Sequence, residues 1–164
     1  MPDEFTVFDA TTSSPNQLYV TTQAAIKAMK ACDLKFDVIP HEDEDEADRI
    51  VLVFNAPDSP SMRVLCVFPS AEDYAAILIH NIVFIPQHKT AMAYKITHDV
   101  QRHFIFARWL FDENDNSMQA EWFGPMEGDD TSGRLFVEAL QRMVAIAHDG
   151  YSIIMDLLTG APTK

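Results

Sequence analysis

Glycine is scarce in this chain, with five among 164 residues, and the five are scattered. No glycine-rich loop is therefore present to wrap backbone N–H groups around a phosphate, which excludes the common nucleotide-binding motifs. Cysteine is scarcer still: only Cys32 and Cys66 occur, and they do not form a Cys-x-x-Cys redox pair. Cys32 falls in a helical pattern and Cys66 in an apolar strand pattern, and both are read as buried free thiols, because cysteine packs as a small hydrophobe. Basic residues are few. Lys and Arg number 12 against 25 Asp and Glu, for a formal charge of -13. A surface of that sign repels nucleic acid and anionic membranes, so neither is expected as a partner.

No apolar run approaches the roughly 18 residues needed to span a bilayer. The start, MPDEFTVFDA, has neither a positive flank nor an apolar core. It does not read as a secretory signal, and a cytoplasmic protein is expected. Catalytic patterns are missing too. There is no Gly-x-Ser-x-Gly elbow. None of His41, His80, His88, His98, His103 and His148 has a second histidine four residues away, the spacing that puts two imidazoles on one helix face. The acidic run Glu42 to Asp48 reads as a solvated loop between strands, because like charges repel and stay hydrated. No enzyme, metal or cofactor is expected.

What the chain does have is a patterned, globular composition: 48% hydrophobic and 23% charged residues. Residues 1–13 read as a flexible N-terminal arm and 14–160 as a single domain. Ser14-Pro15-Asn16-Gln17 has the form of a capping box with proline at the first helical position, opening a helix to about Cys32. Strands are expected at Phe36 to Ile39, Ile50 to Asn55, Met62 to Phe68 and Ala76 to Ile85. The start of the fourth is ambiguous, because Ser70-Ala71-Glu72-Asp73 could cap a short helix. A helical stretch follows from Gln87 to Gln101. Leu135, Phe136, Ala139, Leu140, Met143, Val144 and Ala147 then keep helical spacing in a long final helix, which Gly150 is expected to kink or interrupt. The order gives an α+β fold: a single, mainly antiparallel sheet with helices at the N-terminus, middle and C-terminus.

The sharpest local question is posed by ARWLFDENDNSMQAEWFG, Ala107 to Gly124. Counted as a calcium loop from Asp112, it has the early oxygen ligands but lacks the turn glycine and the closing carboxylate, where Ser117 and Phe123 stand. As a hairpin with loop Glu113 to Asn116 it makes a tighter pattern. Phe111 then opposes Met118, Trp109 opposes Ala120 and Ala107 opposes Trp122, large against small on one face. On the other face Arg108 meets Glu121, Leu110 meets Gln119 and Phe106 meets Phe123. This register turns the tryptophans inward. It leaves Phe104, Phe106, Arg108, Leu110, Glu121 and Phe123 on an outer face, the candidate protein interface.

The leading helix, the strand near Phe36-Asp37-Val38-Ile39 and the step Ile82-Val83-Phe84-Ile85-Pro86 together resemble the YbjN family. So do the helix through Val100 running into Phe104-Ile105-Phe106-Ala107, the Asp-rich tip and the closing helix to Leu157-Leu158. Members of that family are described as sensory transduction regulators, and the resemblance implies a fold like that of type III secretion chaperones. Family members often carry asparagines in the middle helix, where this chain has Lys95-Ile96-Thr97-His98-Asp99. No catalytic residues are carried over. The expected function is a non-catalytic protein-binding or regulatory module that self-associates, with a homodimer and a further protein partner expected. The alternative is an acidic immunity- or antitoxin-like protein that masks a basic partner.

Overall fold

The computed structural model of the protein describes residues 18–57, 59–69 and 73–160. Helix α1 (Val20–Ala31) leads into a short strand β1 (Asp37–Ile39), followed by β2 (Asp48–Ala56), β3 (Ser59–Phe68) and β4 (Tyr74–Phe84). A 3₁₀ turn at Gln87–Lys89 enters α2 (Thr90–His103), and the hairpin β5 (Arg108–Asp112) and β6 (Ser117–Pro125) precedes α3 (Asp130–Thr159). The six strands form one sheet in the order β1-β2-β3-β4-β6-β5, every neighbouring pair antiparallel. This is the α+β architecture expected from the sequence. Among the described residues no helix is long and apolar enough to cross a membrane.

Period-two alternation decides which side of the sheet is covered. Ile50 and Leu52 on β2, Met62, Val64, Cys66 and Phe68 on β3, and Ala75, Ile77 and Ile79 on β4 are buried on one face. They share a single core cluster with Ala25 and Met29 of α1, Ala93, Ile96 and Val100 of α2, and Phe136, Leu140, Met143 and Ile154 of α3. All three helices therefore lie on the same side. Val51 and Ala76, of opposite parity, are buried but stand outside that cluster, on the other face.

Several sequence expectations change. Helix α1 starts at Val20, so Leu18 lies outside it; the expected cap Ser14–Gln17 and the arm 1–13 fall outside the described residues. The start is set by tertiary contact: Tyr19 is extended (φ -62°, ψ 152°), and its N–H donates to the Asp48 carboxylate across the fold. Cys32 caps the far end of α1 and is exposed, not buried; Cys66 is buried as expected, and burial pushes its thiol pKa up. Tyr74 begins β4 directly, while Ser70 to Glu72 lie outside the described residues.

Gly150 neither kinks nor ends α3, which is one continuous 30-residue helix. Its start is fixed by a capping box, with Ser132 N donating to Asp129 Oδ1 at 2.7 Å and Asp129 N donating to Ser132 Oγ at 3.2 Å. The missing side chain at Gly150 makes room for the Trp109 ring, which a Cβ there would overlap. Gly133 does the same for helix crossing, since a Cβ would come within 2.6 Å of the Ala24 carbonyl oxygen.

This fixes the sign of two substitutions. By helix propensity alone, Gly→Ala inside a helix stabilises by about 1 kcal/mol. Here Gly133→Ala and Gly150→Ala should each destabilise by ~1–3 kcal/mol in urea unfolding, because overpacking outweighs propensity. A stabilised variant would show that the close approach is absent.

Candidate functional site

The hairpin tip is built by its own side chains. Asp112 Oδ1 accepts from Asn114 N at 2.9 Å, and Asp115 Oδ1 accepts from Ser117 N at 3.0 Å. Asn116 takes the left-handed conformation (φ 56°) that closes the turn, a region asparagine tolerates better than most residues. Both aspartates are engaged in Asx turns. Among the described residues no three His, Cys, Asp or Glu side chains gather as a metal ion would require.

The five pairs Asp112↔Ser117, Phe111↔Met118, Leu110↔Gln119, Trp109↔Ala120 and Arg108↔Glu121 form as expected. Arg108 Nη1 and Glu121 Oε2 lie 4.0 Å apart across the strands. Trp109 is buried and Trp122 is half-buried against Phe136 of α3, ring centroids 6.3 Å apart, so both tryptophans face the helices.

The ladder stops at Arg108, and this corrects the expected outer face. Ala107 does not pair with Trp122, nor Phe106 with Phe123. The cause is Gln101. Its Nε2 donates to the carbonyls of Phe104 (3.1 Å) and Ala107 (2.9 Å), while its Oε1 accepts from Trp109 N (2.8 Å). One side-chain amide thus takes over backbone groups that a longer strand would have used; Phe104, Phe106 and Ala107 pack toward the helix-side core, while Ile105 is left exposed. Phe104 lies 6.2 Å from the Trp109 ring. Phe106 stacks on Trp122, with the Arg142 guanidinium of α3 4.3 Å from its ring centre. Of the six candidate interface residues, Arg108, Leu110, Glu121 and Phe123 share the helix-free face, whereas Phe104 and Phe106 do not. An open depression of about 430 Å³ at this corner is lined by Ile105, Phe106, Arg108, Glu121 and Phe123 among others.

The helix-free face extends well beyond the hairpin. Directly paired residues of antiparallel strands point to the same side. The ladder Asp37↔Val51↔Leu65↔Leu78↔Glu121↔Arg108 therefore runs as one transverse row across all six strands. A second row, Ile39↔Arg49↔Val67↔Ala76↔Phe123, runs beside it. Ile39, Val53 and Phe123 are exposed at 44%, 59% and 54%. Further along, Arg63, Leu65, His80 and Asn81 line a shallow depression of about 380 Å³ with Ser61, and His80 Nδ1 sits 2.6 Å from Gln119 Oε1. Asn81 has φ 55° where β4 bulges against β6 between Ile79 and Val83.

One residue of the acidic run is not solvated. Asp48 is fully buried, and its carboxylate accepts four hydrogen bonds: from Tyr19 N (2.8 Å) and Thr22 Oγ1 (2.7 Å) on Oδ2, and from His41 N (2.9 Å) and His41 Nδ1 (2.7 Å) on Oδ1. An ionised carboxylate only accepts, so the His41 ring donates. The ring also stacks on Tyr19 at 4.2 Å. Burial pushes the Asp48 pKa up, but the bonds from Thr22, His41 and Tyr19 together outweigh it and hold the carboxyl below its ordinary value. The expectation of a hydrated loop holds for the exposed residues Glu42 to Glu46, but Asp48 is a structural anchor. The sequence does carry a signal for it: Asp48, Ile50 and Leu52 share the parity of the buried face.

Elsewhere Ser59 Oγ lies 2.9 Å from His148 Nδ1, tying the start of β3 to α3. Lys89 Nζ donates to the Leu158 carbonyl near the C-terminal end of α3. None of the family models, curated proteins or solved structures compared with this chain matches it.

The Asp48 site predicts a pH dependence. A carboxylate with a depressed folded pKa contributes stability that is fully present above about pH 4 and is lost as pH falls through the folded value. Asp48→Asn should cost ~2–4 kcal/mol at neutral pH, since it removes the charge and leaves buried donors poorly matched. It should also flatten the acid limb of the stability curve. Urea midpoints from pH 7 downward that run parallel for variant and wild type would contradict this.

Proposed function

We propose that the chain is a non-catalytic protein-binding module and that its binding surface is the helix-free face of the sheet. The observation that carries this reading is the pair of transverse rows: Val51, Leu65 and Leu78 run together across β2 to β4 in one, and Val67, Ala76 and Phe123 across β3, β4 and β6 in the other, with arginines and carboxylates beside them, on a face to which no described helix contributes. Contiguous apolar surface rimmed by charge is what protein interfaces present. The resemblance to the YbjN family points the same way, because a fold like that of a secretion chaperone implies a held polypeptide. A regulatory role follows if that partner is itself regulated.

The second reading, an acidic protein that masks a basic partner, is supported by the exposed run Glu42 to Glu46. The two readings place the partner on different surfaces. Val53→Ser with Phe123→Ser tests this. Both side chains are exposed on the sheet face, so the unfolding midpoint should stay within about 4 °C of wild type. Affinity capture should lose the proteins that the wild type retains. If capture is unchanged by this pair but is abolished when Glu42, Glu44 and Glu46 become Gln, the charge-masking reading takes its place.

A further inference from the structure

We infer that the helix-free face pairs with the same face of a second copy, about a two-fold axis parallel to the strands and passing between β3 and β4. This deepens the protein-binding reading and rests on it.

The chain carries -13, which should drive copies apart. Yet the strand residues of this face include Arg49, Arg63 and Arg108 against Asp37, Asp112 and Glu121, a balance of charge on an otherwise acidic molecule. The excess negative charge lies elsewhere, and at physiological salt it is screened beyond about 8 Å.

Symmetry then tests whether the face fits itself. In an isologous contact, residue i of one copy meets residue j of the other and j meets i. Rotation about the stated axis exchanges β1 with β5, β2 with β6 and β3 with β4, and keeps each row on itself. Along the first row, Asp37 at one edge comes opposite Arg108 at the other, twice in the dimer, and Leu65 meets Leu78 at the centre. Val51 comes opposite Glu121, whose carboxylate is already turned toward Arg108 of its own chain. Along the second row, Arg49 comes opposite the exposed Phe123 ring, a cation–π partner, and Val67 meets Ala76. Opposite charges at the rims and apolar groups at the centre arise from one rotation.

Size is consistent. Six strands about 4.8 Å apart, averaging roughly eight residues at ~3.3 Å each, offer ~750 Å². A standard specific interface buries about 800 Å² per partner. Stacked sheets pack in this aligned way about 10 Å apart.

The test is a charge swap read by sedimentation equilibrium at physiological salt. Wild type should dimerise. Asp37→Arg sets a second positive charge against Arg108 at both contacts, and Arg108→Asp sets a second negative charge against Asp37. Each variant alone should dimerise at least about ten-fold more weakly. Mixed in equal amounts they should recover to within about three-fold of wild type as a one-to-one heterodimer. In that heterodimer the two substituted side chains face each other at one contact, and the native Asp37 and Arg108 face each other at the other. Neither loss of fold nor loss of net charge produces that recovery. A monomeric wild type, or a mixture no tighter than either variant alone, overturns the pairing. If the wild type is monomeric but captured proteins still depend on Val53 and Phe123, the pairing falls while the protein-binding reading stands.

Discussion

Covering one face of a six-stranded sheet with three helices is the constraint from which the other features follow. The long helix α3 can only lie flat on the sheet if its surface admits the Trp109 ring at Gly150 and the α1 backbone at Gly133, so both positions lack a side chain. Apolar side chains of one parity then close into a single core. Those of the other parity meet no helix among the described residues. The helix-free face is thus a product of chain order, since each connection returns its helix to the same side.

Asp48 is where this layering is locked. Its four hydrogen bonds join the start of α1, the β1–β2 loop and β2, so one buried carboxylate fixes a helix and the loop leading back to an edge strand. Breaking such a site by removing the charge is costly, because an amide keeps only one acceptor oxygen and sets its own N–H groups against two of the four donors. The edge strand held this way carries Asp37 and Ile39, the outermost residues of the two rows on the open face. Stability on the helix side and geometry on the open side therefore share an anchor.

Much of this is legible in the sequence, and the failures have identifiable causes. The β5–β6 register is readable because large residues alternate with small ones and an opposite-charge pair falls into line. The fold class follows from the order of periodicities. Phe104 and Phe106 escape the pattern because period-two reasoning cannot see that the Gln101 side chain competes for the backbone of the next strand. Gly150 reads as a helix breaker until the ring that fills its space is known. Asp48 hides among hydrated neighbours, although its parity marks it as inward-facing. Four of the six candidate interface residues do share one face, but the rows crossing β1 to β4 depend on strand order, which local patterns do not encode.

Cross-saturation in solution tests the central claim, that the helix-free face is where a partner sits, most directly. Deuterated, ¹⁵N-labelled chain mixed with unlabelled protonated chain would be irradiated at aliphatic protons. The account predicts signal loss at the amides of Val51, Leu65, Leu78 and Phe123. Loss confined to exposed helix positions such as Leu135 and Tyr94, with the sheet amides untouched, would contradict it.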